Sequence, residues 1–289
     1  TGLSFTYHPA LIIRHIHPAS LPVGVSVELA IRLVSLPEGL NYTCRLEDDA
    51  NTATLSADGM LSCILPARSA AARLAVGVSA NLQQYDEDAS TGAVVEVYAA
   101  PVVSSGIIGI SSSTGEPSAA DVVGRVGDTL VLLGAGLDGG HSPTCRFGGV
   151  AVNASSALGG TALECIVPAP PQTSTTHDAV EVSLNGVHYH TTPVTYYYLV
   201  VDSFEPSGGP TTGGTIVRVR GRYLETCAAP VCVLDAASVA TSFDSATGDL
   251  VCTTEAAATA HRATFAVLCN GLLLEAPERY EYYAPLDVT

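Results

Sequence analysis

The sequence predicts an all-β protein built as three consecutive β-sandwiches. Three observations carry this reading. Apolar residues make up 47% of the 289 and charged residues 14%, ample material for packed cores and unlike the composition of disordered chains. Short alternating segments rich in β-branched residues recur between Gly and Pro turn signals, at roughly the 8–12-residue spacing of sandwich folds. Finally, a two-cysteine unit occurs three times: Cys44 and Cys63 lie 19 apart, Cys145 and Cys165 lie 20 apart, and Cys232 and Cys252 lie 20 apart. The length suits two or three domains of roughly 100–150 residues each, and the repeat selects three.

Phe5-Thr-Tyr7-His-Pro9 resembles Tyr280-Glu-Tyr-Tyr-Ala-Pro285, which closes a unit. Residues 1–9 are therefore expected to be the tail of a preceding domain, in an excerpt from a longer polypeptide. Each unit then opens on a short strand ending in a turn: Ile13-Arg-His-Ile16-His-Pro18, an echo at Ile107-Ile-Gly-Ile110, and Val201-Asp-Ser-Phe204-Glu-Pro206. A second strand follows a glycine, in Gly24-Val-Ser-Val-Glu-Leu-Ala-Ile31, Gly127-Asp-Thr-Leu-Val-Leu-Leu-Gly134 and Gly214-Thr-Ile-Val-Arg-Val-Arg-Gly221; alternation argues strand and the glycines mark turns or bulges. The units close on tyrosine strands at Val97-Tyr98, Tyr196-Tyr-Tyr198 and Tyr280-Glu-Tyr-Tyr283. Successive first cysteines are 101 and 87 residues apart, successive second ones 102 and 87, which fixes the period. The borders fall at 10–100, 101–199 and 200–285, with 286–289 leading onward. Short linkers, Ala99-Ala-Pro101 and Leu199-Val200, restrict bending between units. Asn185-Gly186 predicts a tight hairpin between strands 180–184 and 187–191. Gly208-Gly209-Pro210 and Gly213-Gly214 are expected to supply positive φ in a tight connection.

Eight cysteines allow about 105 pairings when all are oxidised. The repeat pairs Cys44 with Cys63, Cys145 with Cys165 and Cys232 with Cys252, leaving Cys227 and Cys269 of the third unit to each other. No CxxC knuckle of the zinc type occurs, so disulfides and an oxidising compartment are the reading. The formal charge is −16, and all 12 basic residues are Arg. Such a field repels nucleic acid. Without Lys there is neither a phosphate-loop lysine nor a Schiff base. No nucleophile elbow or paired-carboxylate signature occurs, so the chain reads as non-enzymatic and without a cofactor. No run of about 18 apolar residues would insert into a membrane.

The third unit carries Val201-Asp-Ser-Phe-Glu-Pro-Ser-Gly-Gly-Pro-Thr-Thr-Gly-Gly-Thr-Ile216 and Gly221. The second carries Cys145-Arg-Phe-Gly148, Leu163-Glu-Cys-Ile-Val-Pro168 and Val180-Glu-Val-Ser-Leu-Asn-Gly-Val-His-Tyr189. These motifs resemble the IPT/TIG family, the immunoglobulin-like domains shared by plexins, the hepatocyte growth factor receptor, fibrocystin and certain transcription factors. The first unit matches through Tyr42-Thr-Cys44 and Leu61-Ser-Cys-Ile-Leu-Pro66 and lacks the Gly-Pro-x-x-Gly-Gly turn. The resemblance implies three tandem immunoglobulin-like sandwiches in an elongated array, serving as an extracellular adhesion, recognition or spacer segment of a cell-surface or secreted glycoprotein. Its partners would be other extracellular proteins, copies of itself or glycans. A second reading makes the units segments of an extracellular filament or cell-surface appendage.

Within this frame, Asn41-Tyr-Thr43 and Asn153-Ala-Ser155 are N-glycosylation sequons in or near turns. Arg218, Arg220 and Arg222 alternate along one strand and form a cationic row that could hold an anionic glycan or an acidic loop. Pairing with carboxylates on adjacent strands is the plainer reading. His15 and His17, near His8, and His188 and His190 could each present two imidazoles on one face, but lack a third ligand at matching spacing. The acidic stretches Glu47-Asp-Asp49 and Asp86-Glu-Asp88 lack a calcium-loop pattern and read as solvated charge.

Overall fold

The computed structural model describes residues 9–37, 40–47, 49–81, 83–85, 93–108, 121–170 and 176–285. The tail expected at 1–9 (all but Pro9, and with it His8), Asp48, the stretch Asp86-Glu-Asp88, Ile110 and the onward residues 286–289 lie outside the described residues.

The described chain is all-β, and its strands fall into three consecutive sets that share no ladder. The first comprises β1 (Ile13–His17), β2 (Ser20–Pro22), β3 (Val27–Leu33), β4 (Thr43–Leu46), β5 (Asp49–Thr52), β6 (Thr54–Leu55), β7 (Leu61–Leu65), β8 (Ala72–Ser79) and β9 (Val94–Tyr98). The second comprises β10 (Val102–Ile108), β11 (Asp121–Gly124), β12 (Thr129–Ala135), β13 (Thr144–Phe147), β14 (Val150–Ala157), β15 (Ala162–Ile166), β16 (His177–Ser183) and β17 (His190–Tyr198). The third comprises β18 (Val200–Glu205), β19 (Gly208–Pro210), β20 (Ile216–Arg222), β21 (Val231–Leu234), β22 (Ala237–Asp244), β23 (Asp249–Thr253), β24 (His261–Cys269) and β25 (Leu272–Tyr283).

The second and third sets have the same strand order, β10-β12-β15-β14-β13-β16-β17-β11 and β18-β20-β23-β22-β21-β24-β25-β19. In each, one long strand changes partner midway. Asn153 of β14 still pairs with Thr144 of β13, whereas Ala154 pairs with Cys165 of β15. That exchange divides the order into a four-strand and a five-strand layer. The first set is cut at the same point, into β1-β3-β7-β6 and β2-β9-β8-β4-β5. There Ala53 separates β5 from β6, donating its N–H to Tyr42 O at 2.9 Å, as Ala154 does to Pro143 O at 2.9 Å.

By Cα proximity the chain groups into two compact units, Thr1–Ser105 with Val131–Cys165 and Val180–Pro193, and Gly106–Leu130 with Ile166–Ala179 and Val194–Thr289. In the first, Leu29, Ile31, Leu61 and Val78 are fully buried; the strict alternation along β3 supplies Leu29 and Ile31, and β7 and β8 supply Leu61 and Val78. In the second, Val217, Val219 and Leu250 pack with Phe204 and Phe265, whose rings stack at 4.5 Å. Disulfides join β4 to β7 (Cys44–Cys63), β13 to β15 (Cys145–Cys165) and β21 to β23 (Cys232–Cys252), in each case tying one layer to the other. Cys227–Cys269 ties the end of β24 to the loop before β21.

Two turn readings need correcting. The tight Asn-Gly hairpin is at Asn270–Gly271, where both residues have positive φ and Cys269 pairs directly with Leu272. At Asn185–Gly186 the strands stop at Ser183 and resume at His190, because the Asn185 side chain is used otherwise. Its Oδ1 accepts hydrogen bonds from Val187 N (3.0 Å), His188 N (2.9 Å) and Ser183 Oγ (3.1 Å), which props the loop open. The other correction concerns Gly208 and Gly209. Positive φ is confined to Gly213 and Gly214 of that segment. Gly208–Pro210 is instead an extended strand lying parallel to β25, and a Cβ on Gly209 would overlap the Tyr280 hydroxyl and Thr215 Oγ1. The glycine is there for close approach. The same short parallel strand covers the tyrosine strand in all three sets, β2 on β9, β11 on β17 and β19 on β25.

Candidate interaction surface

The alternation of β20 buries Val217 and Val219 and turns Arg218 and Arg220 outward. The hairpin of β22 and β23 brings Asp244 and Asp249 to one side of that row, and β18 brings Asp202 to the other. Arg218 Nη1 donates to Asp244 Oδ2 at 3.2 Å, Arg220 Nε stands 3.6 Å from Asp249 Oδ1, and Arg222 Nη2 stands 3.4 Å from Asp202 Oδ1. Asp244 is held below the usual carboxylate range, first by the Ala246 amide and then by Arg218. The face is therefore a row of ion pairs rather than a bare cationic stripe. Arg220 is the exception in geometry: its side chain is 63% exposed, its contact is the longest, and it borders a shallow cleft with Phe243, Glu225 and Thr247.

A second arrangement escaped the sequence reading. In the first set Thr43 Oγ1 donates to Tyr85 Oη at 3.3 Å and the Arg45 guanidinium sits 4.2 Å from the centre of that ring. In the second, Thr144 Oγ1 donates to Tyr189 Oη at 3.2 Å and Arg146 sits 3.9 Å from the ring centre. Arg146 also donates to Glu181 at 2.7 Å, which raises the arginine and lowers the carboxyl. The signal is a pair of spaced motifs, Thr-Cys-Arg and Ser-x-Asn-x-x-x-Tyr, present as Thr43–Arg45 with Ser79–Tyr85 and as Thr144–Arg146 with Ser183–Tyr189. The third set has Val231-Cys232-Val233 instead.

Asn41 is exposed just before β4, and Thr43 of its sequon is buried. Asn153 is exposed as well, but it sits within β14 and not in a turn, at the point where that strand changes layers. His15 and His17 are exposed on β1, while His188 and His190 are half-buried. Among the described residues no three His, Cys, Asp or Glu side chains come together as a metal site. Asp49 is engaged by Arg68 at 2.6 Å.

Each strand set is thus an all-β sandwich with a disulfide across its layers, a framework whose variable parts are loops and outer sheet faces. The third set can be identified further. Residues 199–282 match the model of the IPT/TIG domain family. No curated protein matches the chain. Among solved structures, similarity is found to the extracellular region of plexin A4 (15% identity, TM-score 0.32), covering 95% of this chain and 34% of that one. It is also found to SGBP-B from a xyloglucan utilization locus of Bacteroides uniformis (14%, TM-score 0.23, 63% of this chain and 49% of that one) and to the I9–I11 tandem from titin (8%, TM-score 0.25, 92% and 95%). The chain spans about a third of the plexin chain's length.

Proposed function

We propose that this chain is a non-enzymatic extracellular segment of a larger cell-surface or secreted glycoprotein, made of three consecutive IPT/TIG-like sandwiches at 10–100, 101–199 and 200–285, that serves recognition or adhesion. The observation that carries the reading is the single strand order repeated three times, each time with a disulfide between the layers. A bridge closing a loop of about 20 residues stabilises a small domain by roughly 3 kcal/mol, a contribution available only where thiols are oxidised. The IPT/TIG match supports binding through loops and sheet faces, and the cleft beside Arg220 and Phe243 is the part of the third set best equipped for a partner's anionic or hydroxyl-rich group. Asn41 and Asn153 project outward and would carry the glycans. The filament reading draws on the same repetition.

Secretion of the chain from cultured eukaryotic cells tests this. Intact mass should rise by about eight daltons on reduction, from four bridges, and fall on enzymatic deglycosylation. Light scattering should give a monodisperse monomer; concentration-dependent polymers would favour the filament. Free thiols in the secreted protein would overturn both.

A further inference from the structure

In the first compact unit, the 184–189 loop is tied to β2 by a buried polar contact. Ser20 is fully buried and Asn185 is 3% exposed. Asn185 Nδ2 donates to Ser20 O at 2.9 Å, and Ser20 Oγ accepts from His141 N at 3.2 Å. The orientation of the Asn185 amide is fixed, because its Oδ1 already accepts from two backbone amides and a hydroxyl. Both Nδ2 hydrogens are then accounted for, one by Ser20 O and the other by His188 Nδ1 at 3.0 Å. A donor faces that imidazole nitrogen, so Nδ1 must accept: His188 is neutral, with its proton on Nε2.

We propose that Asn185 and His188 form an acid-released latch, which holds the 184–189 loop against β2 while His188 is neutral and opens when it is protonated. Protonation turns Nδ1 from acceptor to donor, so two donors confront each other in a partly buried site, and the unmade bond costs more there than in water. The first strand set closes the corresponding loop on an Asn in the same way, with a group that does not titrate. Asn81 Oδ1 accepts from Gln83 N and Gln84 N, and its Nδ2 donates to Gln84 Oε1 at 3.3 Å. Gln84 occupies the position of His188 in the Ser-x-Asn-x-x-x-Tyr motif, and an amide oxygen does not titrate.

The surrounding groups set the direction. Burial pushes His188 below the ordinary imidazole range, and it does the same to His190, whose Nε2 is buried without a partner and which a charge on His188 would repel. Stability supplied by a neutral imidazole of this kind is complete above pH about 6.5 and is lost as pH falls toward the lowered folded value. The His141–Glu96 pair, at 3.0 Å, gains attraction when His141 is charged and so opposes release. Arg146 is occupied by Glu181 and the Tyr189 ring.

Hydrogen exchange of the whole chain, read by mass spectrometry at about pH 7.5 and about pH 5 and corrected for intrinsic rates, tests the latch. In the unsubstituted protein the amides of His141, Ser142, Val187 and His188 should lose at least about tenfold in protection at the lower pH, while those of β13 and β20 keep theirs. His188→Gln should stay protected at both pH values, as the Gln84 arrangement predicts, and Asn185→Ala should be unprotected at both. His190→Gln should keep the response. Equal protection at both pH values in the unsubstituted protein, the same loss in His188→Gln, or loss spreading equally to β13 would overturn the proposal.

Discussion

Removal of the outer bridge of the third set, by Cys227→Ala with Cys269→Ala, puts a number on the staple. The two bridges are nested, with Cys232 and Cys252 (20 apart) inside Cys227 and Cys269 (42 apart). An unfolded chain that keeps the inner bridge closes the outer loop through a short cut. Only the 5 steps from Cys227 to Cys232 and the 17 from Cys252 to Cys269 then count. Loop-closure entropy for that shortened loop of about 22 residues is worth roughly 3.4 kcal/mol, against about 4 if the inner bridge is also gone. Cys269 is fully buried, so losing its sulfur adds a packing cost of the same sign. Hydrogen exchange of the β20 amides of Val217 and Val219, read where exchange goes through opening of the whole layer, should accelerate by at least roughly three hundredfold. Exchange in β3 and β7 of the first set should not change. Acceleration of less than about tenfold would show that the bridge does not stabilise this set through its unfolded state, and the entropic argument would fail.

Two glycines should behave differently for different reasons. Gly209→Ala forces a methyl onto Tyr280 and Thr215 and should cost about 1–3 kcal/mol in urea unfolding. Gly271→Ala meets nothing within 4 Å and should cost only the strain of its positive φ, about 1 kcal/mol. Glu181→Gln should cost up to about 1 kcal/mol near pH 7, since the pair with Arg146 is partly exposed. Because that carboxyl is lowered, chiefly by the Arg146 hydrogen bond, its contribution is present above the ordinary carboxylate range and lost as pH falls through the lowered value. The difference between variant and parent should therefore shrink toward about pH 2.5, and an undiminished difference there would refute the assignment. Asn41→Gln and Asn153→Gln should each remove one glycan's mass from the secreted protein.

How much was legible follows from the range of the forces involved. Alternation in 24–31 or 214–221, the cysteine period and the tyrosine strands are patterns visible along the chain, and they determined an all-β chain with a repeated strand unit. The sequence also held, unread, the paired Thr-Cys-Arg and Ser-x-Asn-x-x-x-Tyr motifs, whose meaning depends on a contact between a strand and a loop more than 40 residues apart, Thr43 with Tyr85 and Thr144 with Tyr189. Only the tertiary structure decided that Gly209 is needed for the approach of Tyr280 and not for its φ, and that the Arg218–Arg222 row is matched by Asp244, Asp249 and Asp202. Asn185 shows the limit most clearly. Its dipeptide with Gly186 is a hairpin signal by local propensity, yet a buried carbonyl at Ser20, 165 residues away, claims its amide, and satisfying that group outweighs the turn preference.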